Sequence, residues 1–444
     1  MNHKKLRERM HLTLRRDLGL FSAVAAGVGI MVGAGIYVLI GAASGMAGNA
    51  LWISFLLGAF VAIFTGLSYA ELSSIFPKDS GEYIYTEHAF GRKIAFIIGY
   101  SVFLGGLIAA ATVSTGFAGY FSKLFGTNNT ILLAISLIIV MSLINFYGIK
   151  QSSRVNIILT LIQIGALIFL IVLSTKFFGK VNYLEMANGL KGVFQATSLI
   201  FFAYIGFEAV IKLSEETKNP QKIIPLALFL SVIITTILYC LVAISAISVI
   251  DWNVLSKSTS PLADVAKALL GNGTFIFISS IALLSTLTTV LIDLIATSRI
   301  LYGISNEFKS LNFITKIHPK TRTPWVAVFL TMALSLPFVL LGDIALIAEI
   351  TNFSIFVTFF FVNASLIWLR YKEPDVERPF KTPLNIGKFP ILALFGALSC
   401  IFLISNLHGT AIVYGIGLLI IGYLIYLILE KIEKRKSNPL KKTH

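Results

Sequence analysis

The sequence predicts an all-α polytopic membrane protein with about twelve transmembrane helices, and three observations support this fold class. The 444 residues are 56% hydrophobic and 13% charged, and the mean hydropathy of +0.86 lies far above the soluble range. The chain contains about twelve apolar runs near the roughly 20 residues that a bilayer core requires. Basic residues are concentrated in alternate loops, as the loops of a multi-pass protein require.

The predicted spans lie near residues 18–44, 50–76, 93–122, 130–148, 154–175, 192–214, 225–250, 274–303, 324–341, 345–369, 389–406 and 411–429. Two connectors are expected to contain short surface helices, over residues 80–91 and 261–271. The largest inner connectors, about 304–323 and 370–388, are too short for a second folded domain. Any function therefore resides in or beside the membrane helices.

The distribution of lysine and arginine predicts that both termini lie in the cytoplasm. We expect the protein to span the plasma membrane. The first run is too long for a cleaved signal peptide, so we interpret it as a retained helix. The segments predicted to be cytoplasmic are marked by Arg15, Arg16, Lys78, Lys150, Lys218, Arg322, Arg378 and Lys434. The outer segments contain only six of the 36 basic residues: Lys123, Lys176, Lys180, Lys191, Lys257 and Lys267. The net charge of +15 thus reflects topology and contact with the lipid bilayer, and we expect no nucleic-acid partner.

Two spans contain helix-breaking glycines, which predicts an internal duplication. The first run is interrupted at Gly33-Ala34-Gly35, and the sixth at Tyr204-Ile205-Gly206. Five spans separate the two positions, so the second copy would enter the membrane from the opposite side, as in an inverted-topology repeat. The expected domains are a basic arm (1–17), a transport core (18–370, with repeats 18–178 and 192–370), a connector (371–388), two accessory helices (389–430) and a basic tail (431–444).

A helix break at mid-membrane supplies polar backbone groups that fit an α-amino acid. Freed N–H and C=O groups are costly in lipid, so a break persists only where it lines a polar cavity. The half-helix that follows presents N–H groups to a carboxylate, and the carbonyls that end the preceding one suit an ammonium group. Ordinary packing is the alternative, because Gly29 and Gly33, or Gly41 and Gly45, have the spacing of close helix contacts.

Other function classes lack the residues they need. The six histidines lie in arms, loops or helix ends, and the spans contain no paired nucleophile and base. We therefore expect no metal, no cofactor, no catalytic residue and no enzyme activity. A channel or sensor would need a continuous polar pore or a signalling domain, and the sequence shows neither.

Three stretches give the chain a resemblance to the amino acid, polyamine and organocation transporter family. They are GIMVGAGIYVLIG (29–41), with Tyr37 where phenylalanine is usual, YAELSSIFPKDSGEYIYTEHAFG (69–91) and FFAYIGFEAVIKLSEETKNPQKIIP (201–225). ATSRILYGIS (296–305) adds a weaker match. The resemblance spans the first ten helices and implies the fold of the sodium-coupled leucine-type transporters, with broken helices 1 and 6 and alternating access.

The resemblance also implies a substrate site on the two breaks. The amides of Ala34 and Gly35 would bind the substrate carboxylate, with Gly33 permitting close approach. The carbonyls of Met31, Ala203 and Ile205 would bind the α-ammonium group. Phe202 occupies the position of an aromatic residue that covers the substrate in relatives, although it could equally be a packed core aromatic.

Ionisable residues inside spans are expensive and usually functional. Glu208 occupies a position where relatives carry an acid linked to proton or substrate coupling, and capping of the break is the structural alternative. Asp293, with Ser285, Thr289 and Thr297, lies on a polar helix face that should point into the bundle. Asp293 departs from the family pattern and could bind a cationic substrate side chain, carry a proton or pair with a structural partner. Glu71 is expected to make a structural contact.

The resemblance predicts a secondary amino acid transporter, but leaves its coupling and substrate open. Some proton-coupled relatives carry a lysine at the position of Gln163. The role of that lysine therefore has no equivalent in this sequence. Coupling would then use a proton at Glu208 or Asp293, or the protein would be an exchanger. Asp293 favours cationic amino acids slightly; neutral amino acids and polyamines are the alternatives. Relatives include monomers and dimers, so no oligomeric state is predicted.

Overall fold

The computed structural model describes residues 18–76, 81–148 and 153–437, and in this part the chain is almost entirely helical. The α-helices are α1 Leu20–Met31, α2 Ala34–Ala47, α3 Leu51–Ile75, α4 Gly81–Phe90, α5 Arg92–Phe125, α6 Thr130–Tyr147, α7 Ser153–Ser174, α8 Gly189–Ile200, α9 Pro220–Val249, α10 Trp252–Leu255, α11 Pro261–Leu270, α12 Asn272–Asn306, α13 Trp325–Val339, α14 Ile344–Lys372, α15 Ile391–Ser405 and α16 Gly409–Ser437. Short 3₁₀ segments cover Gly48–Ala50, Thr175–Phe177, Phe201–Tyr204, Phe207–Glu216 and Lys309–Leu311. Strands β1 (Asn385–Ile386) and β2 (Phe389–Pro390) form one small antiparallel hairpin.

These helices confirm the predicted fold class. Nine stretches of the described chain are long and apolar enough to cross a membrane, one of which, Ala34–Ile75, contains both α2 and α3. The shorter apolar helices are α1, α13 and α15. When α1 and α2 are taken as two halves of one span, the helices correspond to the twelve predicted runs. The predicted surface helices are present as α4 and α11, whereas Arg15, Arg16, Lys78 and Lys150 lie outside the described residues.

The first span is broken where the glycines predicted. Helix α1 ends at Met31 and α2 begins at Ala34; between them Val32 has left the helical conformation and Gly33 is extended. The Gly33 N–H donates to the Met31 carbonyl over 2.8 Å, which closes a three-residue turn at Val32. The chain thus leaves one helix and enters the next within two residues.

The sixth span is interrupted over a longer stretch. Helix α8 ends at Ile200 and continues as the tighter 3₁₀ segment Phe201–Tyr204. Ile205 is extended and Gly206 has φ +112°, a conformation that side chains with a Cβ rarely adopt. A second 3₁₀ segment, Phe207–Glu216, then leads to α9. The predicted break at Tyr204-Ile205-Gly206 is confirmed.

The two breaks pack directly against each other. A Cβ on Gly35 would lie 2.8 Å from the Ala203 Cα, and one on Gly206 would lie 2.8 Å from Ile30 Cγ2. Both distances are below normal contact, so only glycine fits at either crossing. Glycines of the first span therefore serve packing as well as the break, since a Cβ on Gly29 would also lie 2.9 Å from Thr160 Cγ2.

The end of the bundle predicted to face outwards, here the outer end, is tightly closed. The loop through α10 lies against α2 and α5, because a Cβ on Gly41 would lie 2.9 Å from the Leu255 carbonyl oxygen and one on Gly119 would lie 2.7 Å from that of Thr259. Lys123 on α5 forms an ion pair with Asp264 on α11. Glycines thus let the outer loop lie directly on the ends of these helices.

The opposite, inner end is fixed by a buried carboxylate. Glu71 on α3, with 0% of its side chain exposed, accepts from Arg370 Nε at 2.9 Å and Nη2 at 2.6 Å. Arg378 Nε lies 3.6 Å from Glu71 Oε1, and the Thr382 N–H donates to Oε2 over 2.7 Å. This confirms the predicted structural contact of Glu71 and ties the connector after α14 to α3.

Candidate functional site

The start of α2 presents the backbone groups predicted to bind a carboxylate. The first N–H groups of a helix have no acceptor within it, and the helix dipole makes this end favourable for an anion. No side chain caps this end, because the residue before the helix is Gly33. Ala34 and Gly35 are buried inside the bundle, so their amides lie away from both ends of the span.

Tyr239 joins the two breaks. Its hydroxyl on α9 lies 2.7 Å from the Met31 carbonyl and 3.1 Å from the Ala203 carbonyl, and its side chain is fully buried. Two of the three carbonyls that the resemblance assigned to the α-ammonium group, those of Met31 and Ala203, are therefore brought together around one hydroxyl; Ile205 is not among its partners. Sequence reasoning missed Tyr239, because a tyrosine in an apolar run carries no local signal of its partners.

The polar face of α12 points into the bundle, as predicted. Ser285 and Thr297 are buried, and Thr289 and Asp293 are half-buried. A Cβ on Gly33 would lie 3.3 Å from Thr289 Oγ1, which places Thr289 beside the first break. Thr297 lies against Gly106 of α5. Asp293 is four residues from each threonine, so it lies between the break and α5 on the same face.

Asp293 is half-buried at mid-helix and forms no hydrogen bond or ion pair within the part of the chain that the structure describes. A structural partner, one of its three predicted roles, is thus not found among those residues. One helical turn of about 6 Å separates it from Thr289, which lies beside Gly33 of the first break.

Two of the three coupling candidates lie on different elements: Glu208 follows the second break and Gln163 is on α7. Glu208 accepts a hydrogen bond from the Gly206 N–H over 2.9 Å, so it caps the second break as the structural alternative predicted. Gln163 on α7 is buried, and its backbone carbonyl accepts from the Tyr37 hydroxyl at 3.1 Å. The unusual tyrosine at 37 therefore ties α2 to α7 beside Gln163.

The remaining predicted residues also lie at the second break. Phe202 is buried, and its carbonyl accepts from the Ile205 N–H over 3.3 Å, which forms the turn before Gly206.

A second residue that sequence reasoning missed is Asn352 on α14. Its side-chain amide donates to the carbonyls of Ser198 and Leu199 at the end of α8. An asparagine in a membrane span is a usable signal, since buried amides there seek partners across helices.

Comparison with known proteins agrees with this geometry. The family described as amino acid permease matches residues 18–429, nearly the whole described chain. The chain belongs to the amino acid permease family. The permease is 32% identical to the branched-chain amino acid permease BcaP of Bacillus subtilis (strain 168), over 94% of both chains.

Other relatives are named for different substrates. The permease is 28% identical to the methylthioribose transporter of Bacillus subtilis (strain 168), over 94% of both chains. It is 26% identical to the chloroplastic cationic amino acid transporter 6 of Arabidopsis thaliana, over 86% of the permease and 70% of the relative. Family membership therefore establishes a membrane transporter related to amino acid permeases, while the relatives differ in what they carry.

Proposed function

We propose that the permease is a secondary active amino acid transporter that works by alternating access, with the substrate bound between the two helix breaks. The observation that carries this proposal is the contact of Tyr239 with both Met31 and Ala203. It holds two carbonyls near the free amides of Ala34 and Gly35. Acceptors for an ammonium group and donors for a carboxylate would thus lie side by side where the two breaks cross, which matches the α-amino and α-carboxyl groups shared by all amino acids.

The proposed coupling uses a proton or an exchanged substrate. Gln163 is a neutral amide and cannot release or bind a proton at neutral pH. Asp293 and Glu208 are the ionisable groups nearest the breaks, and Glu208 already caps Gly206. We favour Asp293 as the group whose charge changes during transport or is balanced by the substrate.

The proposed substrates are cationic amino acids, and branched-chain amino acids are the second candidate. A cationic side chain that reached Asp293 would neutralise a carboxylate that has no partner within the described chain. The similarity to BcaP over 94% of both chains favours the branched-chain candidate instead. For a neutral substrate, Asp293 would have to be protonated when the substrate binds.

Replacement of Asp293 by asparagine distinguishes these candidates. We expect Asp293→Asn to reduce uptake of arginine and lysine at least tenfold in proteoliposomes, and to leave leucine uptake near the wild-type rate. The matched control is Asp343→Asn, which makes the same chemical change at the exposed cap of α14. Equal loss for leucine and arginine would exclude a side-chain role and favour a proton at Asp293; uptake with and without an imposed pH gradient then tests coupling.

Membrane and domain placement follow from the same proposal. We propose that the protein lies in the plasma membrane with both termini in the cytoplasm. The transport core (18–370) would consist of the inverted repeats 18–178 and 192–370, with the two helices of residues 389–430 accessory to it. The close packing of the two breaks, through Gly35 on Ala203 and Gly206 on Ile30, supports a core built around them.

A further inference from the structure

A side-chain amide of α14, that of Asn352, donates hydrogen bonds to the end of α8, the helix that leads into the second break. Asn352 Nδ2 lies 2.7 Å from the Ser198 carbonyl oxygen and 2.8 Å from that of Leu199. The asparagine side chain has 0% exposure. Both acceptors lie in the last turn of α8, where helical hydrogen bonding begins to be lost. A buried side-chain amide therefore adds two hydrogen bonds to the carbonyls at this helix end.

The contact is directional. Asn352 Oδ1 is buried and has no hydrogen-bond partner within the described chain. Rotation of the amide by 180° would place this oxygen against two carbonyl oxygens and lose both hydrogen bonds. Both N–H groups of the Asn352 amide donate at the same time, which a residue that only fills space could not do.

The surrounding contacts fix α8 in place from the same side. Phe356, one turn after Asn352, packs on Phe201 with ring centroids 5.0 Å apart. Ser198 Oγ donates to the Leu403 carbonyl on α15 over 2.9 Å. The end of α8 is thus held by α14 and α15, and Phe202 and Ala203 follow it within four residues.

We propose that Asn352 is a positioning residue for the substrate site: by holding the end of α8, it sets where Phe202 and the Ala203 carbonyl lie relative to α2. The proposal rests on the proposed function, because it assumes that an amino acid binds at the breaks. Asn352 itself does not contact the substrate. It acts through the backbone that precedes the break.

Asn363 provides a matched control on the same helix. It lies eleven residues, or about three turns, after Asn352 and thus on the same face, and its side chain is also 0% exposed. Its amide contacts Thr65 at 3.0 Å and Ser68 at 2.7 Å on α3. Replacement of either asparagine removes a buried amide between α14 and the bundle, but only Asn352 holds the helix that enters the break.

The test compares Asn352→Leu, Asn352→Asp and Asn363→Leu with the wild type. The dissociation constants of L-arginine and L-leucine are measured by ligand-induced thermal stabilisation of the purified full chain, together with KM and maximal rate in proteoliposomes. We expect Asn352→Leu to raise the dissociation constant and KM at least tenfold for the amino acid that the wild type binds. Asn363→Leu should lower thermal stability without a change in either constant.

Asn352→Asp adds a readout that a purely structural role would not affect. A protonated aspartic acid can donate one hydrogen bond to the α8 carbonyls, whereas an ionised one cannot. Relative to wild type at each pH, this variant should regain affinity as the pH is lowered from about 9 to about 6, since burial favours the neutral acid. Asn352→Leu should show no such recovery.

The outcomes separate the two proposals. If neither amino acid stabilises the wild type, the proposed function and the positioning role both fail. If the wild type responds and Asn352→Leu responds equally, only the positioning role is overturned. Equal loss of affinity in Asn363→Leu, or no pH-dependent recovery in Asn352→Asp, would also overturn it. Should Asn352→Leu fail to fold, the pH series of Asn352→Asp decides.

Discussion

At the scale of single residues, each helix break is completed by side chains from other helices. Tyr239 on α9 donates to both breaks, and Asn352 on α14 donates to the end of α8. Buried backbone carbonyls at a helix break need such donors, because a polar group without a hydrogen-bond partner is costly inside a membrane. The breaks are therefore properties of the assembled bundle and not of the two spans alone.

Replacement of Tyr239 by phenylalanine tests the bridge between the breaks. The change leaves the Met31 and Ala203 carbonyls without their common donor, so we expect the free energy of unfolding to fall by about 1–3 kcal/mol. If the two half-helices then separate, amino acid affinity falls roughly tenfold, the equivalent of about 1.4 kcal/mol. Thermal unfolding with and without added amino acid measures both effects.

Tyr120→Phe is the control for this prediction. The Tyr120 hydroxyl donates to the Tyr37 carbonyl over 2.8 Å and the ring is fully buried, but this hydroxyl does not contact the Met31 or Ala203 carbonyl and does not join the two breaks. It should lower stability and leave affinity unchanged. If both variants lower affinity equally, Tyr239 has no special role at the site.

At the scale of elements, the crossing of the half-helices depends on the absence of side chains. Gly35 of α2 lies directly on Ala203, and Gly206 lies on Ile30. This contact keeps the start of α2 close to the end of the 3₁₀ segment Phe201–Tyr204. The proposed carboxylate seat, formed by the Ala34 and Gly35 amides, and the proposed ammonium acceptors are therefore adjacent only while the crossing is close.

Gly35→Ala should open this crossing. The added Cβ would lie 2.8 Å from the Ala203 Cα, a backbone atom that cannot rotate away, and overpacking of this kind costs about 1–3 kcal/mol. We expect lower thermal stability and no stabilisation by any amino acid. The matched change Gly165→Ala, on an exposed part of α7 with nothing within 4 Å, should instead raise stability by roughly 0.5–1 kcal/mol. A wild-type ligand response in Gly35→Ala would contradict the proposed seat.

At the scale of the whole molecule, polar contacts join the inner ends of helices that are far apart in sequence. Glu71 and Arg370 are 299 residues apart in sequence, yet they form a two-point hydrogen-bonded pair in the interior. Arg378 and the Thr382 N–H extend this contact to the connector. The pair therefore sets how α3, α14 and the connector lie relative to one another.

Glu71→Leu should destabilise the whole protein. It leaves Arg370, whose side chain is 6% exposed, beside Arg378 with no carboxylate between them. Removal of one partner of a buried ion pair typically costs about 3–5 kcal/mol, which chemical or thermal unfolding of the purified protein measures. Glu430→Gln removes the partner of Lys434 in a more exposed pair and should change stability by less than about 1 kcal/mol. A loss below about 1 kcal/mol in Glu71→Leu would show that the pair does not hold the inner end.

The sequence alone determined the spans, the two break positions and the family. Apolar runs of membrane length and glycine at positions where a helix cannot continue are local properties, and the bilayer leaves few alternatives to helices. It also identified Asp293 as a polar residue on an inward helix face, because that face follows from the helical period. Glu71 could be expected to make a structural contact, but its partners could not be named.

Only the tertiary structure decided which groups meet at the breaks. Tyr239 and Asn352 lie in other spans, and their hydrogen bonds join residues 36 to 208 positions apart. No local pattern encodes such distances, since helix packing sets them after the spans have formed. The same packing leaves Asp293 without a partner in the described chain. The sequence thus defines where an amino acid could bind, and the packing of the other helices defines the shape of that site.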